Sequence, residues 1–361
     1  MAMSSDFPLL KLPLLVQKTV IDQMDPWVIF DFSLTSKVFK ALLTTIKWTI
    51  NCLQWALFEN EISITIHSNS QPLSFKVLSD YAFESEPRNL NGHAVAFTKR
   101  DYSLGKISWC FRRGSSEIWE SIESRVKLLE YLTAFLMGFV KCSRFNLNYA
   151  LEEHLTSGFF LWKYFKEKLI DLRISGAHKN PLTMAPEDLK FLLENVKSDN
   201  LMLNIQLTDS IYKYQGKLEA KLLNINASDN NWLDLRHSGL NCELIHSSAR
   251  SQNTVNQILK NWIQGVSLQK LKYLNIFCFG NINVTNILKD TNYQNTRFSN
   301  SDLKLQMGLH EENAVYRDVQ RKSDGWWGTV IIDRSRFRFV VWKPEDLKKC
   351  CKETRIKLGL E

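Results

Sequence analysis

The sequence predicts an α+β or α/β chain: a small three-helix module followed by a mixed body of irregular strand–helix units. Three observations lead there. Apolar residues between Leu12 and Ile46 recur at helical spacing and are punctuated by prolines and short polar residues. Glu61–His67 alternates strictly, with Ile62, Ile64 and Ile66 on one face, the period-two mark of a half-buried strand. From residue 160 onward, strand-like cores alternate with helical stretches.

The first helix is predicted after Leu12-Pro13, because a proline in the first helical turn loses no hydrogen bond. Val16, Val20, Ile21 and Met24 then fall on one helical face. Asp25-Pro26 ends that helix and starts a second, with Asp25 as N-cap and Pro26 in the first position. Val28, Ile29, Phe30 and Phe32 crowd the second helix, and Ser33–Ser36 supplies another cap. A third helix runs through Val38, Phe39, Leu42, Leu43 and Ile46. Its pattern extends through Trp48, Leu53, Trp55 and Phe58 to near Asn60. Three short helices cannot bury this much apolar surface among themselves. Phe7, Leu9, Leu12, Val20, Met24 and Phe32 are left as a patch that calls for a partner.

In the body, Leu73–Leu78, His93–Phe97 and Lys106–Phe111 read as short strands, and Glu117–Val140 as a helix. Five further cores begin at Leu169, Leu201, Leu222, Cys242 and Leu271, spaced 32, 21, 20 and 29 residues apart. The gaps hold helical stretches at Pro186–Val196, more weakly around Trp232–Leu235, and at Val255–Trp262. Such alternation is that of a leucine-rich-repeat-like stack on a parallel sheet, with an ordinary α/β domain as the alternative. Trp326–Ile332 and Arg336–Trp342 flank a turn and form a hairpin, with Arg336 and Arg338 on its wet face.

Composition excludes more than it assigns. Hydrophobic residues make up 44% and charged residues 23% of 361 positions, as in ordinary folded chains. The formal charge of +8, from 46 basic against 38 acidic residues, is spread thinly rather than gathered on one element. A nucleic-acid-binding protein therefore rests on charge alone, and no nucleic acid is expected as a partner. Seven scattered cysteines include no C-x-x-C pair, which excludes the common zinc and thioredoxin spacings and fits reduced thiols in the cytoplasm or nucleus. The most apolar run, Leu128–Val140, is 13 residues long and too short for a membrane span, and no signal peptide is visible. G-x-G-x-x-G, G-x-x-x-x-G-K-[ST], G-x-S-x-G and H-E-x-x-H are all absent. His237 and His246, with Cys242 between them, do not have a recognised ligand spacing, and Glu311-Glu312 after His310 reads as a charged loop. No metal, cofactor or catalytic residue is expected.

The order Leu12-Pro13, Val16, Val20-Ile21, Met24, Asp25-Pro26, Ile29-Phe30, Phe32-Ser33-Leu34, Ser36-Lys37 and Phe39 resembles the F-box pattern without a gap. It departs at Thr35, where the family carries valine, and at Val38-Phe39, where it carries arginine and tryptophan. The opening Phe7-Pro8-Leu9-Leu10-Lys11-Leu12-Pro13 is similar to that of many nematode F-box proteins. Asn241-Cys242, Lys260-Asn261-Trp262, Leu271–Leu274, Arg321–Gly325, Thr329-Val330 and Phe339–Trp342 resemble the type 2 F-box-associated region of the same group. The resemblance implies an F-box at 7–50, a connecting region at 51–150, a substrate-binding region at 151–345 and a charged tail at 346–361. It implies a non-catalytic substrate-recruiting subunit of a cullin–RING ubiquitin ligase. The partners would be a Skp-type adaptor, cullin through that adaptor, and a protein target. Adaptor contact would fall on Leu9, Leu12, Pro13, Val16, Val20, Ile21, Met24, Pro26, Ile29, Phe32, Leu34 and Phe39. A protein–protein scaffold without a ligase role is the alternative.

Overall fold

The computed structural model describes residues 9–68, 72–77, 86–90, 93–102, 106–113, 122–151, 155–165, 169–176, 180–225, 232–248, 251–278, 280–299, 301–303 and 314–360, with backbone alone over 86–113. Phe7, Glu117, Gly105, His154, His178, His310, Glu311 and Glu312 lie outside the described residues. The chain is α+β: three N-terminal helices precede a strand-rich body. It divides into two compact units, the first of residues 1–154 and 158–171, the second of 155–157 and 172–361. The first unit thus takes in the segments 7–50 and 51–150 together.

In the first unit a 3-10 turn, Leu9–Lys11, leads into α1 (Leu14–Gln23), α2 (Pro26–Thr35) and α3 (Lys37–Ile46). Ser36 caps α3 by accepting a bond from the Phe39 amide. Asp25 holds the N-cap position of α2, but its side chain makes no capping bond. The strands are β1 (Trp48–Thr49), β2 (Cys52–Phe58), β3 (Ile62–His67), β4 (Leu73–Val77), β5 (Glu86–Leu90), β6 (His93–Tyr102), β7 (Lys106–Arg113), β8 (Val140–Lys141) and β9 (Phe145–Ala150). They pair in the order β5-β6-β7-β4-β3-β2-β9, with β4–β7 and β2–β9 parallel and the rest antiparallel. β1 and β8 form a separate parallel pair. Helix α4 (Ile122–Met137) packs on β3 and β4, and Trp55 Nε1 donates to Thr133 Oγ1 at 3.1 Å to tie β2 to it.

The helix expected to continue to Asn60 ends at Ile46, and residues 52–58 are strand. Lys47 takes a positive φ of 55°, which closes α3. Beyond it Leu53, Trp55 and Leu57 are buried alternately between β3 and β9. Both periods fit those few apolar residues. The neighbouring strands, unseen in the local pattern, decided between them.

β10 (Leu169–Ser175), of which residues from Leu172 onward belong to the second unit, pairs with β12 (Ser198–Leu207), and β11 (Leu182–Met184) pairs parallel with β12. A parallel ladder continues through β13 (Leu222–Ile225), β14 (Leu244–Ser248) and β15 (Tyr273–Phe277). Its register places Leu201, Leu223, Ile245 and Leu274 in one buried row. Between strands lie α5 (Pro186–Asn195) and α6 (Gln252–Gln264). The apolar stripe of α6 covers the inner face, where Trp262 meets Phe339 edge-on with centroids 4.7 Å apart. Gly265, at φ 74°, ends α6 in the left-handed conformation that glycine adopts without strain. β15 then joins an antiparallel group, β19 (Arg336–Trp342), β18 (Trp327–Ile332), β17 (Val315–Gln320) and β16 (Tyr293–Asn295).

Three expectations change here. Residues 232–235 form turns with an isolated bridge from Tyr214 to Leu233, and no helix. The strand expected from Cys242 begins at Leu244. Arg338 is buried, not wet: it pairs with Asp333 at 2.8 Å. The outer face of β18–β19 is covered by a cluster of Phe298, Leu303, Ile331, Val340, Trp342 and Cys350, with Phe298 stacked on Trp342 at 3.9 Å. Residues 346–361 therefore include part of a packed layer.

Candidate functional site

The helices α1–α3 have two unlike faces, and their relation to the first unit sets both. Phe30 is fully buried, its ring 4.4 Å from that of Phe75 on β4 and 5.9 Å from that of Phe135 on α4. Ile29 and Leu43 are likewise buried. Lys47 Nζ donates to the Gly138 carbonyl at 2.7 Å, and Lys18 Nζ reaches Thr49 Oγ1 at 3.0 Å. Lys40 lies over the Phe135 ring at 4.5 Å, and burial there lowers its ammonium pKa. The module is a layer of this unit, with one face inward.

The outward surface of the helices carries several exposed apolar side chains among polar ones. Leu10, Leu14, Leu15, Val16, Phe32 and Val38 are exposed, from 42% at Val16 to 77% at Leu15. Single exposed apolar residues are ordinary; six within 29 residues, in a turn and three neighbouring helices, form an unusual concentration. Phe32 and Phe39 meet edge-on at 5.4 Å, so the buried Phe39 supports the exposed ring.

The twelve residues expected at an adaptor interface fall into three groups. Pro13, Val16 and Phe32 are exposed; Leu9, Leu12, Val20, Met24 and Leu34 are half-buried; Ile21, Pro26, Ile29 and Phe39 are buried inside the unit. Leu10, Leu14, Leu15 and Val38 are also exposed, and the sequence pattern did not single them out as contact residues. Their signal was faint. The run Leu14-Leu15-Val16 has one apolar residue too many for a single inward stripe.

The second unit offers a different surface. Along the outer face of its parallel strands Met202, Asn224, His246 and Asn275 line up in one half-exposed row. Asn275 Nδ2 lies 3.4 Å from His246 Nδ1, and the His246 ring is 5.7 Å from that of Tyr273. Partial burial holds the His246 pKa below its ordinary value, which favours neutral imidazole. At the N-terminal ends of the same strands, Asp199 pairs with Lys221 at 3.1 Å and Glu243 with Lys272 at 2.5 Å. Opposite charges in adjacent positions favour this register over a shifted one.

No group of three or more histidine, cysteine or acidic side chains could hold a metal ion among the described residues. His237 Nδ1 accepts from the Gly239 amide at 3.0 Å, while Cys242 is buried with its thiol pKa pushed up to about 12 by burial. No described helix is long and apolar enough to cross a membrane. No protein-family model, curated protein or solved structure matches the chain.

Proposed function

We propose that this chain is the substrate-recruiting subunit of a Skp–cullin–F-box ubiquitin ligase. In this reading it docks a Skp-type adaptor on α1–α3 and, through that adaptor, cullin, and it presents a protein target on the second unit. The observation that carries the reading is the exposure of Leu10, Leu14, Leu15, Val16, Phe32 and Val38, on helices whose order of residues resembles an F-box. A packed unit that leaves such side chains to water favours a protein partner there. The target face would be the row of Met202, Asn224, His246 and Asn275, since the opposite side of those strands is buried. The chain would need no cofactor and catalyse nothing itself. It would raise the effective concentration of target lysines near the charged ubiquitin carrier, in the cytoplasm or nucleus.

The test is co-precipitation of the full chain with a purified Skp-type adaptor and cullin. Leu15→Asp places a charge among these exposed side chains and should abolish capture, while changing stability by about 0.5 kcal/mol or less. Leu12→Ala with Pro13→Ala should weaken it. A folded chain that captures no adaptor would remove the reading. Capture of adaptor without cullin would leave the scaffold alternative, for which the departures at Thr35 and Val38-Phe39 are the motive.

A further inference from the structure

Gln17 is an unusual residue to find inside α1. Its side chain is only 6% exposed, on a helix whose neighbouring positions Leu14, Leu15 and Val16 are open to solvent. Its Nε2 donates to the Leu12 carbonyl at 2.7 Å and to the Leu10 carbonyl at 3.3 Å. Both acceptors lie before the helix starts, so the side chain reaches back to the 3-10 turn. Among the described residues Leu12 N bonds Leu9 O at 3.2 Å, and Pro13 has no amide to donate. The Gln17 Oε1 is buried and meets no donor among the described residues. A buried polar atom without a partner is costly, so apolar packing alone does not explain why glutamine stands here.

We propose that Gln17 is a positioning residue for the partner surface. Its carboxamide clamps the Leu10 and Leu12 carbonyls, and so fixes Leu10 and Pro13 in register with Leu14 and Leu15 before a partner arrives. A surface whose turn is already ordered loses less entropy on binding than one that must be ordered at contact. The chemistry of the clamp needs an N–H donor. Glutamate has the same length but, when ionised, only acceptors to set against two carbonyl oxygens; protonated, it has one O–H to donate. Methionine matches the length and donates nothing.

This inference rests on the adaptor reading, and the experiment separates the two. Affinity of the full chain for a purified Skp-type adaptor is measured by calorimetry between pH 5 and 8, for the wild type, Gln17→Glu, Gln17→Met and the core variant Leu43→Ala. Hydrogen exchange of the Leu9–Pro13 segment is followed in parallel. The expected result is a 10- to 100-fold loss of affinity in both Gln17 variants at pH 7.5, with faster exchange at Leu12. Gln17→Glu should regain affinity as the pH falls and its carboxyl takes up a proton, whereas Gln17→Met should not. Leu43→Ala destabilises the same unit without touching the clamp and should bind within threefold of wild type. If wild type binds and both Gln17 variants bind as tightly, or if Leu43→Ala loses as much affinity as they do, the positioning role is overturned and the adaptor reading stands. If folded wild type does not bind, the adaptor reading and this role fall together.

Discussion

Replacing Phe30 by alanine tests whether the three helices are built into the first unit or merely joined to it. The ring is fully buried, with Phe75 at 4.4 Å and Phe135 at 5.9 Å. Removing a fully buried phenylalanine costs about 3–5 kcal/mol, from lost burial and the cavity left behind. The two aromatic contacts account for roughly 1–3 kcal/mol of that, at about 0.5–1.5 kcal/mol each. Against a typical domain stability of about 5–15 kcal/mol this is a large fraction. The assay is hydrogen exchange on the full chain, read at Pro26–Thr35 and at Ile122–Met137. Both helices should lose protection together, by roughly 10²–10⁴-fold if they open as one cooperative unit. A double-mutant cycle with Phe75→Ala should return a coupling of about 0.5–1.5 kcal/mol. Protection of Ile122–Met137 left unchanged, or a coupling near zero, would refute the shared core.

Other outcomes follow from the second unit. Gly328→Ala would drive a Cβ into the Phe339 ring and to 3.1 Å from Trp262, and overpacking there should cost about 1–3 kcal/mol; an unchanged Tm would contradict that packing. Burial alone would raise the Asp302 pKa, but hydrogen bonds from Ser299, Thr354 and Cys351 outweigh it and hold the carboxyl below its ordinary value. The stabilisation is therefore present above the unfolded value of about 4 and is lost as the pH falls through the folded one. Urea titrations from pH 6 down to 3 should show a steeper loss for wild type than for Asp302→Asn, and parallel curves would contradict this. Among the cysteines with described side chains, Cys351 should alkylate fastest at pH 7.5. Hydrogen bonds with Ser299 and then Thr354 lower its pKa, whereas burial pushes Cys350 to about 12 and Cys278 to about 11. Peptide mapping that finds Cys278 labelled first would overturn the packing around it.

The local pattern carried some elements almost whole. Pro186 with two acidic residues in the first turn marked α5 to within a residue of its end, and the hairpin of β18 and β19 was visible in its alternation. Strands β12, β13 and β15 were legible because an aliphatic row recurs there at a spacing that a stacked sheet repeats. The stretch after Lys47 was not legible, since its few large apolar residues fit both periods and its partners lie far along the chain. Arg338 misled for a related reason: alternation shows that two faces differ, but not that segments before and after the hairpin will cover the outer one.

At the candidate site the division is similar. Local pattern alone implies three helices with starts at Pro13, Pro26 and Ser36, carrying more apolar surface than three short helices can bury. Those are properties of nearest neighbours and of composition. Which residues face out depends on packing against distant segments of the chain. The inward face of α2 is set by Phe75 and Phe135, 45 and 105 positions from Phe30, and burying Phe30 against them leaves Phe32 open. Gln17 is the clearest case: its place on a mixed helix says nothing, and its role exists only because the chain before Pro13 folds back to meet it.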